Sequence, residues 1–166
     1  MATRDDLQYA FAGESQANRK YLAFAQQAEQ DGYPEVARLF RAAAAAETLH
    51  AHAHLKAMGG IANTVTNLAE AAEGERQEYQ EMYPPFLAAA EAAGEKAASR
   101  SFRNALAAEE VHCRLYQAAL AAVQQGKDLP ARQVYLCPVC GNLEYGEPPA
   151  RCAICGAPGS KFSAVA

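Results

Sequence analysis

Glu47 and His50 form a Glu-x-x-His pair in alanine-rich, helix-favouring sequence, and sixty-two residues later Glu109 and His112 repeat it. On an α-helix, residues three apart stack on one face, so each pair offers a carboxylate and an imidazole to the same metal ion. Glu14 and Glu75 add a carboxylate to each half of the chain. One Glu from each of two helices plus a Glu-x-x-His from each of two others is the ligand set of a two-metal site inside a helical bundle. Glu78, three residues after Glu75, supplies one more carboxylate on that face, where the first half holds Ala17. Five glutamates converging on an interior are each costly by on the order of several kcal/mol unless compensated. Two cations remove that cost, and oxygen-rich ligands with two imidazoles suit iron or manganese. A single Glu-x-x-His is ordinarily a solvated helix face. Two copies at a repeat offset, with two matched glutamates, weigh against that reading.

A second cluster closes the chain: Cys137, Cys140 and Gly141, then Cys152, Cys155 and Gly156. Two Cys-x-x-Cys-Gly knuckles make a tetrahedral four-thiolate cage, each glycine letting backbone N–H groups approach the sulfurs. Such a cage accepts zinc or iron. Tyr135, Leu143, Tyr145 and Phe162 give the segment apolar surface to wrap it. Other candidates read more plainly. His52 points away from His50 on a helix, and His54, although one turn on, is also taken as a non-ligand. Cys113 reads as an inert buried thiol. Tyr21 and Tyr83 stand about two turns beyond Glu14 and Glu75, where hydroxyls can reach the carboxylates.

Helices must position these groups. Thr3 and Asp6 resemble a capping box, opening helical sequence that runs to about Gln30. Pro34 starts a second helix that ends near Met58, before Gly59 and Gly60. A connection over 61–66 leads to a third helix, with Thr66 or Asn67 expected as its cap. Pro84 and Pro85 predict a kink or break in it. Gly94 marks the turn into a fourth helix ending near Gly126. Short turns make each pair antiparallel, and four long helices with one crossover form an all-α ferritin-like four-helix bundle. The pairs also read as copies. Arg38, Phe40 and Arg41 recur as Arg100, Phe102 and Arg103, while Gly13-Glu14 and Gly74-Glu75 match at almost the same offset. Duplication implies a pseudo-twofold bundle; identities among alanines alone, such as Ala42 to Ala46, are discounted as composition.

The chain has 166 residues, 51% hydrophobic, with a formal net charge of −4. That is one modest domain with an appendage, expected as 1–130 for the bundle and 131–166 for the cysteine module. A net negative charge argues against nucleic acid as partner. Without an apolar run of membrane-spanning length or a signal-like N-terminus at Met1, a cytoplasmic protein is expected. Clustered cysteines in that compartment are metal ligands rather than disulfides.

With these features together, the chain resembles the rubrerythrins. The resemblance lies in the segment from Phe11 to Gln16, the Glu-x-x-His of helix two and the string from Gly74 to Pro84. It continues through Glu109 to His112 and the terminal knuckles, in that order. The tail resembles rubredoxin, which in this family holds a single redox-active iron. The resemblance implies a di-iron centre bridged by Glu47 and Glu109, with Glu14 terminal on one iron and Glu75 and His112 on the other. Glu78 and His50 would alternate on the first iron, carboxylate when oxidised and imidazole when reduced. Anionic oxygen suits the harder ferric ion and neutral nitrogen the ferrous. Tyr21 and Tyr83 match family tyrosines near the site. The implied activity is a peroxidase reducing hydrogen peroxide to water, fed through the four-cysteine iron by an external NAD(P)H-dependent reductase, in a homodimer. The connection after Gly59-Gly60 is short for the family and raises exchange of helices between chains. Two other functions compete: ferritin-like iron oxidation and storage, which has no use for the cysteine module, and a non-catalytic metal-binding protein with zinc in its tail.

Overall fold

The computed structural model describes residues 2–165. Met1 and Ala166, the outer limits of the two expected domains, lie outside the described residues. Two helical hairpins and a small β module make up the chain. The first hairpin pairs α1 (Ala2–Gln30) with α2 (Pro34–Ala57) across a turn at 31–33, too short for anything but an antiparallel return. Proline at the first helical position of α2 costs nothing, because that N–H has no partner in a helix anyway. Thr3 lies inside α1 rather than ahead of it, so the expected capping box is not what opens the helix.

Residues Ala25, Ala28, Ala37, Ala44 and Ala51 are the buried apolar residues of this hairpin, and Phe40 packs against the first three. Side chains this small let two helices approach at the near end of the 8–10 Å range of interaxial distances. Asn18 crosses the seam, its Nδ2 donating to the Ala44 carbonyl at 2.6 Å and to Thr48 Oγ at 2.8 Å.

In the second hairpin, α3 (Thr64–Gln77) and α4 (Tyr83–Ala92) pack against α5 (Lys96–Gln124). The cap of α3 is Asn63, whose side-chain oxygen accepts from the Thr66 N–H at 3.0 Å; neither Thr66 nor Asn67 fills that place. The expected interruption falls ahead of the prolines, as a π-helical turn at Glu78–Met82 closed by the Tyr83 N–H donating to the Glu78 carbonyl. Pro84 and Pro85 then sit at the start of α4, where missing donors are tolerated. Arg76 ties the wide turn down by pairing with Glu73 at 2.7 Å and Glu81 at 3.0 Å.

The repeat explains the extra width. Glu14 corresponds to Glu75 at an offset of sixty-one, whereas Tyr21, Phe24, Phe40, Glu47 and His50 correspond to Tyr83, Phe86, Phe102, Glu109 and His112 at sixty-two. One residue has been gained between Glu75 and Tyr83, and a π turn absorbs a single added residue without breaking a helix. Past it the two halves are in step again. Tyr21 and Tyr83 stand 6.2 Å from Phe40 and Phe102, and Phe24 and Phe86 stand 5.6 Å and 5.8 Å from the same rings.

Beyond α5, β1 (Val134–Leu136) lies between β2 (Leu143–Tyr145) and β3 (Ser163–Val165), antiparallel to both. Ile154, Ala157 and Phe162 pack around the buried cysteines. Tyr145, expected in that wrap, is one of the exposed large side chains. By compactness the chain divides into Met1–Ala62 and Asn63–Ala166, the second unit holding α3, α4, α5 and the cysteine module.

Candidate metal centres

Each hairpin gathers its own ligand triad. In the first, Glu14, Glu47 and His50 present donor atoms within 4.8 Å of one another; in the second, Glu75, Glu109 and His112 do the same. His50 Nδ1 lies 2.9 Å from Glu47 and 4.0 Å from Glu14. His112 Nδ1 lies 2.6 Å from Glu109 and 3.8 Å from Glu75. Two ligands bound at about 2.1 Å to one cation are at most about 4.2 Å apart, so all four separations suit a shared ion. Hard oxygens with one imidazole per triad fit iron.

Electrostatics report the same crowding of charge. Burial, then the neighbouring Glu109 carboxylate, pushes Glu75 up to about 7. Glu78 is raised for the same two reasons. A hydrogen bond donated by its ring to the Glu109 carboxylate raises His112 against the opposing effect of burial. Burial, followed by the carboxylates of Glu78, Glu109 and Glu75, raises Tyr83 and keeps its hydroxyl protonated.

The two histidines differ on their outer edge. His112 Nε2 donates to the Gly141 carbonyl at 2.9 Å, and its side chain is only 19% exposed. His50 has no such outer bond among the described residues and is 57% exposed. Of the other sequence candidates, Glu78 falls outside both triads, at the start of the π turn. Tyr21 and Tyr83 sit in the matched aromatic trios. His52 and His54 join no ligand group; His52 instead lines a cleft of about 230 Å³ that reaches Glu47, Asn18 and Thr48. Cys113 is buried, its Sγ 3.3 Å from the Ala72 carbonyl. The Gly141 contact has no signature in sequence, because it joins a helix to a knuckle twenty-nine residues away.

The four cysteines of the tail form a third group. Cys137 and Cys155 sulfurs are 3.6 Å apart, and those of Cys140 and Cys152 are 3.5 Å apart. A tetrahedron with metal–sulfur bonds of about 2.3 Å has edges of about 3.8 Å, so the cage is already sized for its ion. Gly141 and Gly156 occupy left-handed backbone at φ +83° and +74°. Their own N–H groups donate to the Cys137 and Cys152 carbonyls rather than toward sulfur. Glycine therefore supplies the turn, and neighbouring residues supply the donors. Burial alone raises Cys152, but N–H groups of Cys155 and Ile154 and the adjoining thiols outweigh it and bring it to about 7. Burial also pushes Cys140 up, and the other three thiols add to the rise. A bound cation resolves that contest by stabilising all four as thiolates.

Helical hairpins bearing repeated Glu/His triads, with a tetrathiolate cage appended, define a non-haem metalloprotein equipped for two-metal chemistry. Residues 5–120 match the family described as Rubrerythrin, and residues 135–163 match its rubredoxin-like domain. Rubrerythrin-2 of Clostridium acetobutylicum is 38% identical, the match covering 98% of this chain and 96% of that one. Nigerythrin of Nitratidesulfovibrio vulgaris is 37% identical, covering 98% and 86%. A solved structure of nigerythrin in its fully reduced, all-ferrous state aligns with a TM-score of 0.58 at 34% identity, again over 98% and 86%. The chain belongs to the rubrerythrin family. It is a di-iron protein of ferritin-like fold with a rubredoxin-like iron site. No helix among the described residues is long and apolar enough to cross a membrane.

Proposed function

We propose that the chain is a cytoplasmic peroxidase in which one hydrogen peroxide takes up two electrons and two protons to give two waters. Iron, when bound, supplies the electrons: two from the pair for each peroxide, replaced one at a time through the tetrathiolate site from an external NAD(P)H-dependent reductase. The corresponding division of labour is 1–130 for peroxide chemistry and 131–166 for electron supply.

The observation that carries this reading is the double engagement of His112. Its Nδ1 faces the Glu75/Glu109 carboxylates while its Nε2–H is held by the carbonyl of Gly141, one residue from the cage ligand Cys140. One imidazole thus belongs to a metal triad and touches the electron-supplying module of the same compact unit. A storage protein has no use for that link.

In this scheme Glu14, Glu47 and His50 would hold one ion and Glu75, Glu109 and His112 the other, Glu47 and Glu109 being the carboxylates shared between the two. Glu78 and His50 would alternate as ligands. The contrast between the histidines supports that assignment: His112 is pinned at both nitrogens, whereas His50 has no outer tether among the described residues and can turn away at little cost. Glu78 opens the π turn that the added residue produces, and the matching place in the first half holds Ala17, so the extra carboxylate belongs to the second hairpin. Tyr83 keeps its proton beside the carboxylates of Glu78, Glu109 and Glu75, and the scheme assigns its hydroxyl, with that of Tyr21 in the first hairpin, the role of donor to the ligands.

Anaerobically reduced protein carrying about three irons per chain, two in the bundle and one in the tail, is expected to lose its ferrous pair in one fast phase on mixing with hydrogen peroxide. Dioxygen should do so more slowly. Continued uptake of iron far beyond that stoichiometry would assign the protein to iron storage, and zinc in the tail of natively loaded protein would end the electron-supply role.

A further inference from the structure

We propose that Asn142 and Glu144 set the reduction potential of the tetrathiolate site. The Asn142 amide pins the Glu144 carboxylate beside the knuckle of Cys137 and Cys140, and that fixed negative charge makes the site a stronger electron donor. The inference deepens the electron-supply reading above and rests on it for the ion in the tail, iron.

The two knuckles share one backbone plan. Cys137 and Cys152 donate their N–H groups to the carbonyls of Asn142 and Ala157, while Gly141 and Gly156 donate to the carbonyls of Cys137 and Cys152. The Asn142 N–H donates to the Cys140 sulfur, as the Ala157 N–H does to that of Cys155. Asn142 and Ala157 therefore hold equivalent places, each directly after the glycine of its knuckle. Alanine suffices in the second knuckle, so the turn itself has no need of an amide. Something else keeps one at Asn142.

Its surroundings supply the reason. Ser99 and Asn142 are the buried polar residues among those described. The Ser99 hydroxyl returns to the Glu95 carbonyl one turn back. Asn142, only 2% exposed, donates through Nδ2 to Glu144 Oε1 at 2.9 Å. Burying an amide is unfavourable unless its donors are met, and a hydrogen bond to an ionised acceptor is the stronger kind. Glu144 is half-buried on β2. Asn142 and Glu144 line one cleft of about 430 Å³ together with Arg114, whose guanidinium pairs with Glu110 at 3.1 Å.

A single residue thus links the carboxylate to a ligand sulfur: Glu144 binds the Asn142 side chain, and the Asn142 backbone binds Cys140. Reduction adds a negative charge to a site already built of thiolates, so a fixed anion nearby opposes it. Net charge and hydrogen bonds to sulfur are the quantities that set such potentials. Partial burial weakens the screening that quenches exposed charges. Asn142 acts through Glu144 and is a positioning residue: without its amide, the carboxylate has the cleft to turn into.

Redox titration of the iron-loaded protein, followed on the ferric tetrathiolate absorption, tests the pair without reference to peroxide. Glu144→Gln keeps the size and an acceptor for the amide but loses the charge. The ferric-to-ferrous ratio at a fixed potential should fall about three- to tenfold, tenfold being about 59 mV for one electron. Glu147→Gln removes the same charge from an exposed position of the module and should change the ratio by less than about twofold. Asn142→Ala should reproduce part of the Glu144→Gln shift, and the double variant should go no further than Glu144→Gln alone. Both substitutions should retain the tetrathiolate spectrum, one being nearly isosteric and the other copying Ala157. A Glu144→Gln potential equal to that of Glu147→Gln, or below the wild type's, would overturn the proposal and leave the peroxidase reading standing. Fully additive shifts would overturn the role of the amide. The expected shifts in a protein of which no form, wild type included, turns over peroxide would uphold the pair and sink that reading instead.

Discussion

Gly141 and Gly156 allow the electron-supply role to be separated from the integrity of the cage. Both sit at positive φ, where an L side chain costs roughly 1–2 kcal/mol. Neither site is crowded: a Cβ on Gly141 meets only Ala108 Cβ at 3.9 Å, and one on Gly156 meets nothing within 4 Å. Gly141→Ala and Gly156→Ala should therefore destabilise alike, lowering Tm by about 2–8 °C at 2–4 °C per kcal/mol. Their carbonyls differ in partner. That of Gly156 accepts from Arg151 at 3.2 Å, whereas that of Gly141 accepts from His112. Relieving the strain at Gly141 rotates the peptide and weakens a contact worth about 0.5–1.5 kcal/mol. Because 1.36 kcal/mol is tenfold in rate, stopped-flow reduction of the oxidised iron pair through the reduced tail should slow by about two- to tenfold in Gly141→Ala alone. Oxidation of the prereduced pair by peroxide should be unchanged in both. Equal slowing in the two variants, or wild-type transfer in a Gly141→Ala protein with the expected loss of Tm, would refute the role of this contact.

Glu78→Ala is expected to retain its metal by elemental analysis yet lose most peroxide turnover; unchanged steady-state rates would remove Glu78 from the ligand exchange. Cys140→Ser should leave a single peroxide oxidation of the prereduced pair intact and abolish cycling with reductase, and normal cycling would make the tail purely structural. The apoprotein should become less stable as pH rises. Glu75 is held at about 7 when folded against 4.5 when unfolded, so the folded state binds the extra proton in that window and loses the advantage by its top. His112, raised by Glu109, contributes stability below its unfolded value that disappears as pH climbs through its higher folded value, the same sign. Metal ligands bind deprotonated, so the Tm gap between loaded and metal-free protein, followed by calorimetry from pH 5 to 8, should widen with pH. A gap that narrows would contradict the placement of these two groups.

The helices and both triads were legible because they depend on local rules. Glutamate and histidine three apart share a face wherever the backbone is helical, and Pro34 and the proline pair at 84 and 85 can only punctuate. What sequence reasoning missed depends on competition or on distance. Thr66 or Asn67 was the expected cap of α3, but the helix begins at Thr64 and Asn63, one turn earlier, takes that place. The π turn left a faint trace, the slip from sixty-one to sixty-two between the repeats, yet the prolines drew the expected break to themselves. Glu78 shares a face with Glu75 by helical spacing and lies outside the triads, which leaves its role as the one unmatched carboxylate to experiment. The bond from His112 to Gly141 is tertiary and no spacing encodes it.

The alanine seam of the first hairpin carries a consequence for how such chains diverge. Ala37, Ala44 and Ala51, set seven apart, act as spacers whose lack of bulk fixes how near the carboxylate of one rod comes to the imidazole of the next. Adding even two carbons at one of them would pry the rods apart and open the gap between Glu14 and His50 past what a single ion bridges. Positions that carry no reactive atom, and that any comparison of repeats sets aside as compositional noise, thus act as the gauge of the centre, and drift there should be as harmful to iron retention as loss of a ligand.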